Sequence, residues 1–130
     1  MSSIPEDLQY TKDHEWLRIL DGNVATIGIT DHAQDSLGDI TFVELPDTGS
    51  TLEAGETFGV VESVKAASDL FMPVKGEILE VNDNLLDAPE QVNESPYENG
   101  WMIKIRLDDS SSQGDLLSPE AYTDIVGNES

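Results

Sequence analysis

The chain has 130 residues, no cysteine and a formal net charge of -21, with 27 acidic side chains against six Lys and Arg. The absence of cysteine excludes disulfide staples, thiolate metal sites and cysteine nucleophiles. The negative charge repels phosphate backbones and anionic bilayers, so neither nucleic acid nor a membrane is an expected partner. It indicates a solvated, self-repelling surface, electrostatic docking onto basic proteins, or both.

The length suits a single domain over residues 1–130, and no apolar run is long enough to span a bilayer. Residues 1–9 are acidic and aperiodic, and we expect them to form a flexible N-terminal arm. They lack the basic and apolar regions of a signal peptide and the Arg-rich character of a transit peptide. We therefore expect a cytoplasmic protein, or a mitochondrial matrix protein only if a transit peptide has been removed.

Short β-prone runs separated by turn residues make up most of the chain. The dipeptide Asp21-Gly22 between two such runs predicts a hairpin. Residues 82–100 are rich in Asn, Asp and Pro and are predicted to form a long surface connection, and residues 108–114 a polar linker. The predicted strands are residues 16–19, 23–29, 40–45, 57–64, 70–72, 77–81 and 101–107. Many short strands with few helices predict an all-β barrel or sandwich.

Two helices are predicted at the periphery of this β structure. Thr30 can cap a short helix over residues 31–37, which the glycine that follows would close. Ser118 can cap a second helix near the C-terminus, with Pro119 in its first turn and Gly127 at its end.

Lysine is scarce in this chain, which makes each lysine informative. The four lysines are Lys12, Lys65, Lys75 and Lys104. Lys65 lies between two β-prone runs and is followed by the small residues Ala66 and Ala67. If the two runs pair, the lysine stands at the tip of a hairpin, where a modifying enzyme can reach it. The alternative is an ordinary surface lysine.

The segment around this lysine, Glu-Ser-Val-Lys-Ala-Ala-Ser-Asp at residues 62–69, resembles the lipoyl-attachment segment of glycine cleavage H proteins. Other blocks resemble the same family in the same order, and the similarity covers roughly residues 8–126. These blocks are residues 10–16, 25–34, 37–40, 42–46, 73, 76–77, 80–82, 92–93, 95–97 and 100–104.

The resemblance implies an all-β fold with short peripheral helices. This is a hybrid barrel-sandwich of two small antiparallel sheets, with the lipoyl lysine on a hairpin turn and a C-terminal helix. It implies (R)-lipoate bound covalently to Lys65, attached by a lipoylating enzyme. The chain would be a monomeric carrier rather than an enzyme.

The same resemblance implies three further protein partners, which are the enzymes of the glycine cleavage system. The aminomethyl group of glycine would pass from the P protein, a glycine decarboxylase, to the T protein, an aminomethyltransferase. The L protein, a dihydrolipoyl dehydrogenase, would reoxidise the dihydrolipoyl arm. A flexible arm on a rigid scaffold keeps one intermediate close to several active sites.

Glu15 and Asp69 align with family positions where a carboxylate could contact the loaded arm, and the alternative is that both are solvated charges. His14 and His32 lack partners at metal-ligand spacing, so we expect structural roles for them, no metal site and no catalytic residue. Trp101 is expected in the core or at its rim, as is the tryptophan next to Glu15.

Three other functions remain open on sequence alone. A lipoyl or biotinyl domain of a larger multienzyme chain would share the architecture, but biotinyl domains typically place Met on both sides of the lysine, whereas Val64 and Ala66 stand here. The carrier could also relay lipoate to other proteins. A small hydrolase using His14 and Glu15 would belong to a different class.

Overall fold

The computed structural model describes residues 4–107 and 116–129, so the predicted linker at 108–114 lies outside the described residues. Within them, nine strands form one six-stranded and one three-stranded sheet, both antiparallel. The six-stranded sheet has the order β1 (Gln9–Tyr10), β2 (Glu15–Asp21), β3 (Val24–Ile29), β9 (Ile103–Leu107), β8 (Gly76–Val81) and β5 (Thr51–Leu52). The three-stranded sheet has the order β4 (Ile40–Glu44), β6 (Thr57–Ser63) and β7 (Ala67–Phe71). The predicted pair of antiparallel sheets is confirmed.

The main hydrophobic core joins the two sheets. Strand β9 illustrates why, because Ile103 and Ile105 are buried while Lys104 and Arg106 point outward. The two cations pair there with acidic residues of β8, at N–O distances of 3.4 and 3.1 Å. Alternation of this kind buries one face of each strand and leaves the other in water. The core draws on the large sheet through Ile27, Ile78 and Ile105 and on the small sheet through Val43, Val61 and Leu70.

A second, aromatic cluster lies at the edge of the large sheet. Tyr10, Trp16 and Tyr122 are fully buried there together with Leu8. The Tyr10 and Tyr122 rings stack with centroids 4.6 Å apart. Part of the segment predicted as a flexible N-terminal arm packs against this cluster, since Leu8 is buried and Gln9 lies in β1.

The described residues form four helices around the sheets: α1 (Asp31–Leu37), α2 (Asn84–Asp87), α3 (Gln91–Glu94) and α4 (Pro119–Glu129). The Thr30 hydroxyl caps α1 as predicted, accepting a hydrogen bond from Ala33 N at 3.2 Å. The surface connection expected at 82–100 is wrong in part, since α2 and α3 bury Leu85 and Val92. Gly127 does not end α4, which continues to Glu129. Within the described ranges, no helix is long and apolar enough to cross a bilayer.

The two strands around Lys65 form a tight hairpin. Strand β6 ends at Ser63 and β7 begins at Ala67, with Glu62 opposite Ala67 in the register. Sequence alone predicted a second strand starting only at residue 70. The earlier start arises because pairing with β6 overrides the low β-propensity of Ala67 and its two successors.

Candidate functional site

The hairpin turn that carries Lys65 is closed by Ser63. Ser63 N donates to Ala66 O at 2.7 Å across the end of the ladder. The Ser63 hydroxyl accepts hydrogen bonds from Ala66 N at 3.1 Å and from Lys65 N at 3.3 Å. It donates its own hydrogen to Ala66 O at 3.2 Å. A serine side chain that bonds local backbone groups in this way stabilises a turn. The position of the lysine on the turn is therefore well defined.

The connection between α1 and β4 contacts this turn and supports it. Asp39 O accepts a hydrogen bond from Val64 N at 3.2 Å. A Cβ added to Gly38 would lie 3.5 Å from Lys65 Cε, so the aliphatic part of the lysine passes over this glycine. Gly38 has φ +84°, a conformation that favours glycine. The turn is thus anchored to a second part of the chain.

The Lys65 side chain is exposed. Among the described residues it has no carboxylate within ion-pair distance, despite the large excess of acidic groups. Lys75 and Lys104 differ, since each lies 3.4 Å from a glutamate oxygen. The lysine on the hairpin is therefore accessible to an acylating enzyme without the breaking of an ion pair.

Glu15 is buried, with 1% of its surface exposed, at the start of β2. Its Oε1 accepts a hydrogen bond from the Thr11 hydroxyl at 2.7 Å, and its Oε2 accepts one from Phe71 N at 3.3 Å. Burial raises the pKa of the carboxyl to about 7, and the two hydrogen bonds only partly oppose this effect. The carboxyl borders an open cleft of about 600 Å³, whose wall also includes Lys12 and Met72.

Strand β7 connects the lysine turn with this cleft. Ala67, Asp69 and Phe71 alternate with the buried Leu70, so they lie on the same side of the strand. Asp69 is exposed in the middle of the strand, whereas Phe71 at its end lines the cleft. At a strand rise of about 3.3 Å per residue, the two ends of β7 are about 13 Å apart. The structure therefore places Asp69 between Lys65 and Glu15 and brings neither carboxylate into contact with the lysine.

The loop before Glu15 is held by a cluster of polar aromatic residues. His14 adopts φ +70°, which is uncommon for a residue with a side chain. Its Nδ1 lies 2.8 Å from the Tyr122 hydroxyl, which also lies 2.6 Å from the Thr30 hydroxyl. The His14 and His32 rings are 4.8 Å apart. The expected structural role of both histidines is consistent with these contacts, and the described residues include no group of three potential metal ligands.

Comparison with known proteins identifies the family. The model of the family described as "Glycine cleavage H-protein" matches residues 8–129. The chain belongs to this family. Its segment 62–69, for which the resemblance implied lipoyl attachment, lies at the hairpin tip described above.

Relatives and a solved structure support the assignment over nearly the whole chain. The glycine cleavage system H protein of Rubrobacter xylanophilus is 59% identical over 122 residues, covering 94% of each chain. That of Chromohalobacter salexigens is 56% identical over 129 residues, covering 99% of this chain and 98% of the relative. The crystal structure of the H protein from Mycobacterium marinum has a TM-score of 0.84 at 39% identity, covering 97% and 98% of the two chains.

Several residues that support the site were not found from sequence. Thr11 was not singled out, because its bond to Glu15 depends on a turn between the two residues and on the burial of the carboxyl, which appear only in the folded chain. Asp39 supports the turn through its backbone carbonyl, so its side-chain identity gave no signal. The hydroxyl contacts of Tyr122 with His14 and Thr30 depend on the tertiary fold and could not be predicted from sequence.

Proposed function

We propose that Lys65 carries lipoate as an amide and that the chain is a carrier, not an enzyme, in glycine cleavage. It would take the aminomethyl group from the P protein to the T protein, and the L protein would reoxidise its arm. We also propose that it works as a monomer in the cytoplasm. Membership of the family supports a role in the glycine cleavage system, and Lys65 is the proposed attachment point.

The observation that carries the proposal is the state of the Lys65 amine. It is exposed on a turn fixed by Ser63 and Asp39, and no described carboxylate pairs with it. An acylating enzyme needs an amine that is accessible and held in a defined place, and this lysine fits both requirements. Bound lipoate would supply a disulfide and dithiol couple that this cysteine-free chain lacks.

Glu15 and Asp69 are proposed to receive the cationic aminomethyl group. Glu15 lies at the far end of β7, about 13 Å along the strand from the lysine turn. Its carboxyl is desolvated and already accepts hydrogen bonds from Thr11 and Phe71. A charge-assisted hydrogen bond in such a place is worth roughly 1.5–3 kcal/mol. Asp69 is exposed on the same strand between the turn and the cleft, and it would contact the aminomethyl group there.

An apolar face next to the hairpin supports docking onto partner enzymes. Phe42 and Leu86 are 48% and 54% exposed, and they line a shared surface depression of about 490 Å³. Val64, in the turn itself, is 71% exposed. Exposed apolar groups that lie close together are typical of interaction sites. Acidic residues at the rim of the depression, Glu44, Asp47 and Asp83, would match a basic partner surface.

Mapping of the modification tests the proposal. The chain is incubated with lipoate, ATP and a lipoate–protein ligase, and intact mass and peptide mapping locate the acyl group. We expect one lipoyl group, on Lys65, and none on the Lys65→Arg variant. Lys75→Arg is the matched control, since it removes a lysine of another turn and should leave modification unchanged. Lipoate on another lysine, or an unmodified wild-type chain, would contradict the proposal.

A further inference from the structure

The side-chain amide of Asn93, in α3, holds the connection between α1 and β4. Its Nδ2 donates to Gly38 O at 2.8 Å and to Gln34 Oε1 at 2.9 Å. Its Oδ1 accepts a hydrogen bond from Ile40 N at 2.8 Å. Both N–H groups and the oxygen of this amide are therefore used. They fix the backbone on both sides of Asp39 to a helix that lies far away in sequence.

The residue held between these bonds is the one that contacts the lysine turn. Asp39 O accepts from Val64 N, and Gly38 lies under Lys65 Cε. Val64 and Lys65 are exposed, so packing contributes little to fixing the tip of the hairpin. The hydrogen bond that Val64 N donates to Asp39 O is thus a main constraint on where the tip lies, and it depends on the backbone that Asn93 fixes.

We infer that Asn93 is a positioning residue for the modification of Lys65, acting through Gly38, Asp39 and Ile40 on the hairpin. The inference rests on the proposed function, because it assumes that Lys65 is the residue acylated. A lysine on a mobile tip must be ordered when the modifying enzyme binds it, and this ordering weakens binding. Asn93 thereby lowers the cost of recognition although it does not touch the lysine.

A purely stabilising role makes a different prediction, and the chain offers a matched control. Asn82 is also an amide clamp, whose Nδ2 donates to Asn99 O at 2.8 Å and to Trp101 O at 2.7 Å. Within residues 4–107 and 116–129, no hydrogen bond joins Asn82 to the lysine turn. Asn82→Ala should lower global stability as Asn93→Ala does, but without a specific effect at the hairpin. Comparison of the two variants separates positioning from stability.

The experiment combines amide hydrogen exchange of the apo protein with its kinetics as a substrate of a lipoate–protein ligase. In Asn93→Ala we expect the Val64 amide to exchange about tenfold faster, because its acceptor is no longer held. The KM for the apo protein should rise by a similar factor with little change in kcat. Asn82→Ala should leave both values close to those of the wild type. Asn93→Ser, which keeps a hydroxyl, is the milder variant to use if Asn93→Ala does not fold.

Two results would overturn the inference. One is wild-type exchange at Val64 and wild-type KM in the folded Asn93 variant. The other is an equal change in Asn82→Ala, which would assign the effect to stability. A wild-type chain that takes no lipoate on Lys65 would defeat the proposed function instead, and the exchange data would still decide whether Asn93 holds the hairpin.

Discussion

Glu15 Oε2 accepts a hydrogen bond from Phe71 N at 3.3 Å, at the end of β7 opposite the turn that carries Lys65. The bond links the first long strand of the large sheet to an edge strand of the small one. One strand therefore joins the lysine, at its beginning, to a buried carboxyl at its end.

The buried carboxyl should make stability depend on pH. The pKa of Glu15 is raised from 4.5 to about 7 by burial, so the folded state keeps a proton that the unfolded state loses. Stability therefore falls as pH rises between these values, by at most about 3 kcal/mol. Glu15→Gln should abolish this fall and be more stable than the wild type at pH 8. Urea unfolding at pH 5 and pH 8 measures it, with Asp69→Asn as the exposed control. Parallel pH profiles for Glu15→Gln and wild type would refute the assignment.

Glu15→Gln should also expose the aminomethyl group on the lipoyl arm to water. Glu15→Gln keeps the shape of the side chain and removes the charge that would hold the cation. We expect faster release of ammonia and formaldehyde from the isolated loaded protein, with lipoylation of Lys65 intact. In the wild type, release should also quicken as pH falls and Glu15 takes up a proton. Unchanged release in both Glu15→Gln and Asp69→Asn would remove both residues from the proposed contact.

Docking onto the T protein should depend on both charge and apolar contact. If the charge of -21 drives association, the on-rate should fall as salt rises, since the Debye length is about 8 Å at physiological ionic strength.

Leu86→Ser should weaken binding to the T protein about tenfold, mainly through faster dissociation. Ile19→Ser is the control, because Ile19 is 41% exposed near the Gly22 end of the β2–β3 hairpin. Equal effects of the two substitutions, measured by surface plasmon resonance, would show that the Phe42–Leu86 face is not the docking site.

The hydroxyl of Tyr122 should contribute to stability beyond the packing of its ring. Tyr122→Phe keeps the stack on Tyr10 and removes the contacts with His14 and Thr30. At about 1 kcal/mol for each buried hydrogen bond, we expect a loss of about 1–3 kcal/mol in the free energy of unfolding. Chemical denaturation measures this loss. A variant as stable as wild type would mean that water or other partners replace both contacts.

The hairpins and the position of the lysine could be predicted because their signals are local. Asp21-Gly22 stands between two β-prone runs, and the structure has a turn there with Gly22 at φ +57°. The alternation of apolar and charged residues over 103–107 likewise predicted a strand, and the structure has β9 there. Lys65 stood out because lysines are scarce in the chain, because small residues follow it, and because its segment resembles a lipoyl-attachment segment. The structure places it on the predicted turn.

The parts that sequence did not predict depend on contacts between distant residues. Helices α2 and α3 have four residues each and bury one apolar side chain apiece, which is too little to produce a helical period. The desolvation of Glu15 arises from strands that meet only in the folded chain. The amide of Asn93 recognises backbone groups some 53 residues away in sequence, and no local pattern encodes such a contact.

The contact between Tyr122 and His14 has a consequence for the order in which the chain matures during synthesis. Every residue that fixes the Lys65 turn, including Asn93, is translated before α4. The loop that carries Glu15 receives its Tyr122 contact only after all strands of both sheets have been made. A chain truncated before α4 would therefore keep the described residues that fix the Lys65 turn and lose the Tyr122 contact of the loop that carries Glu15.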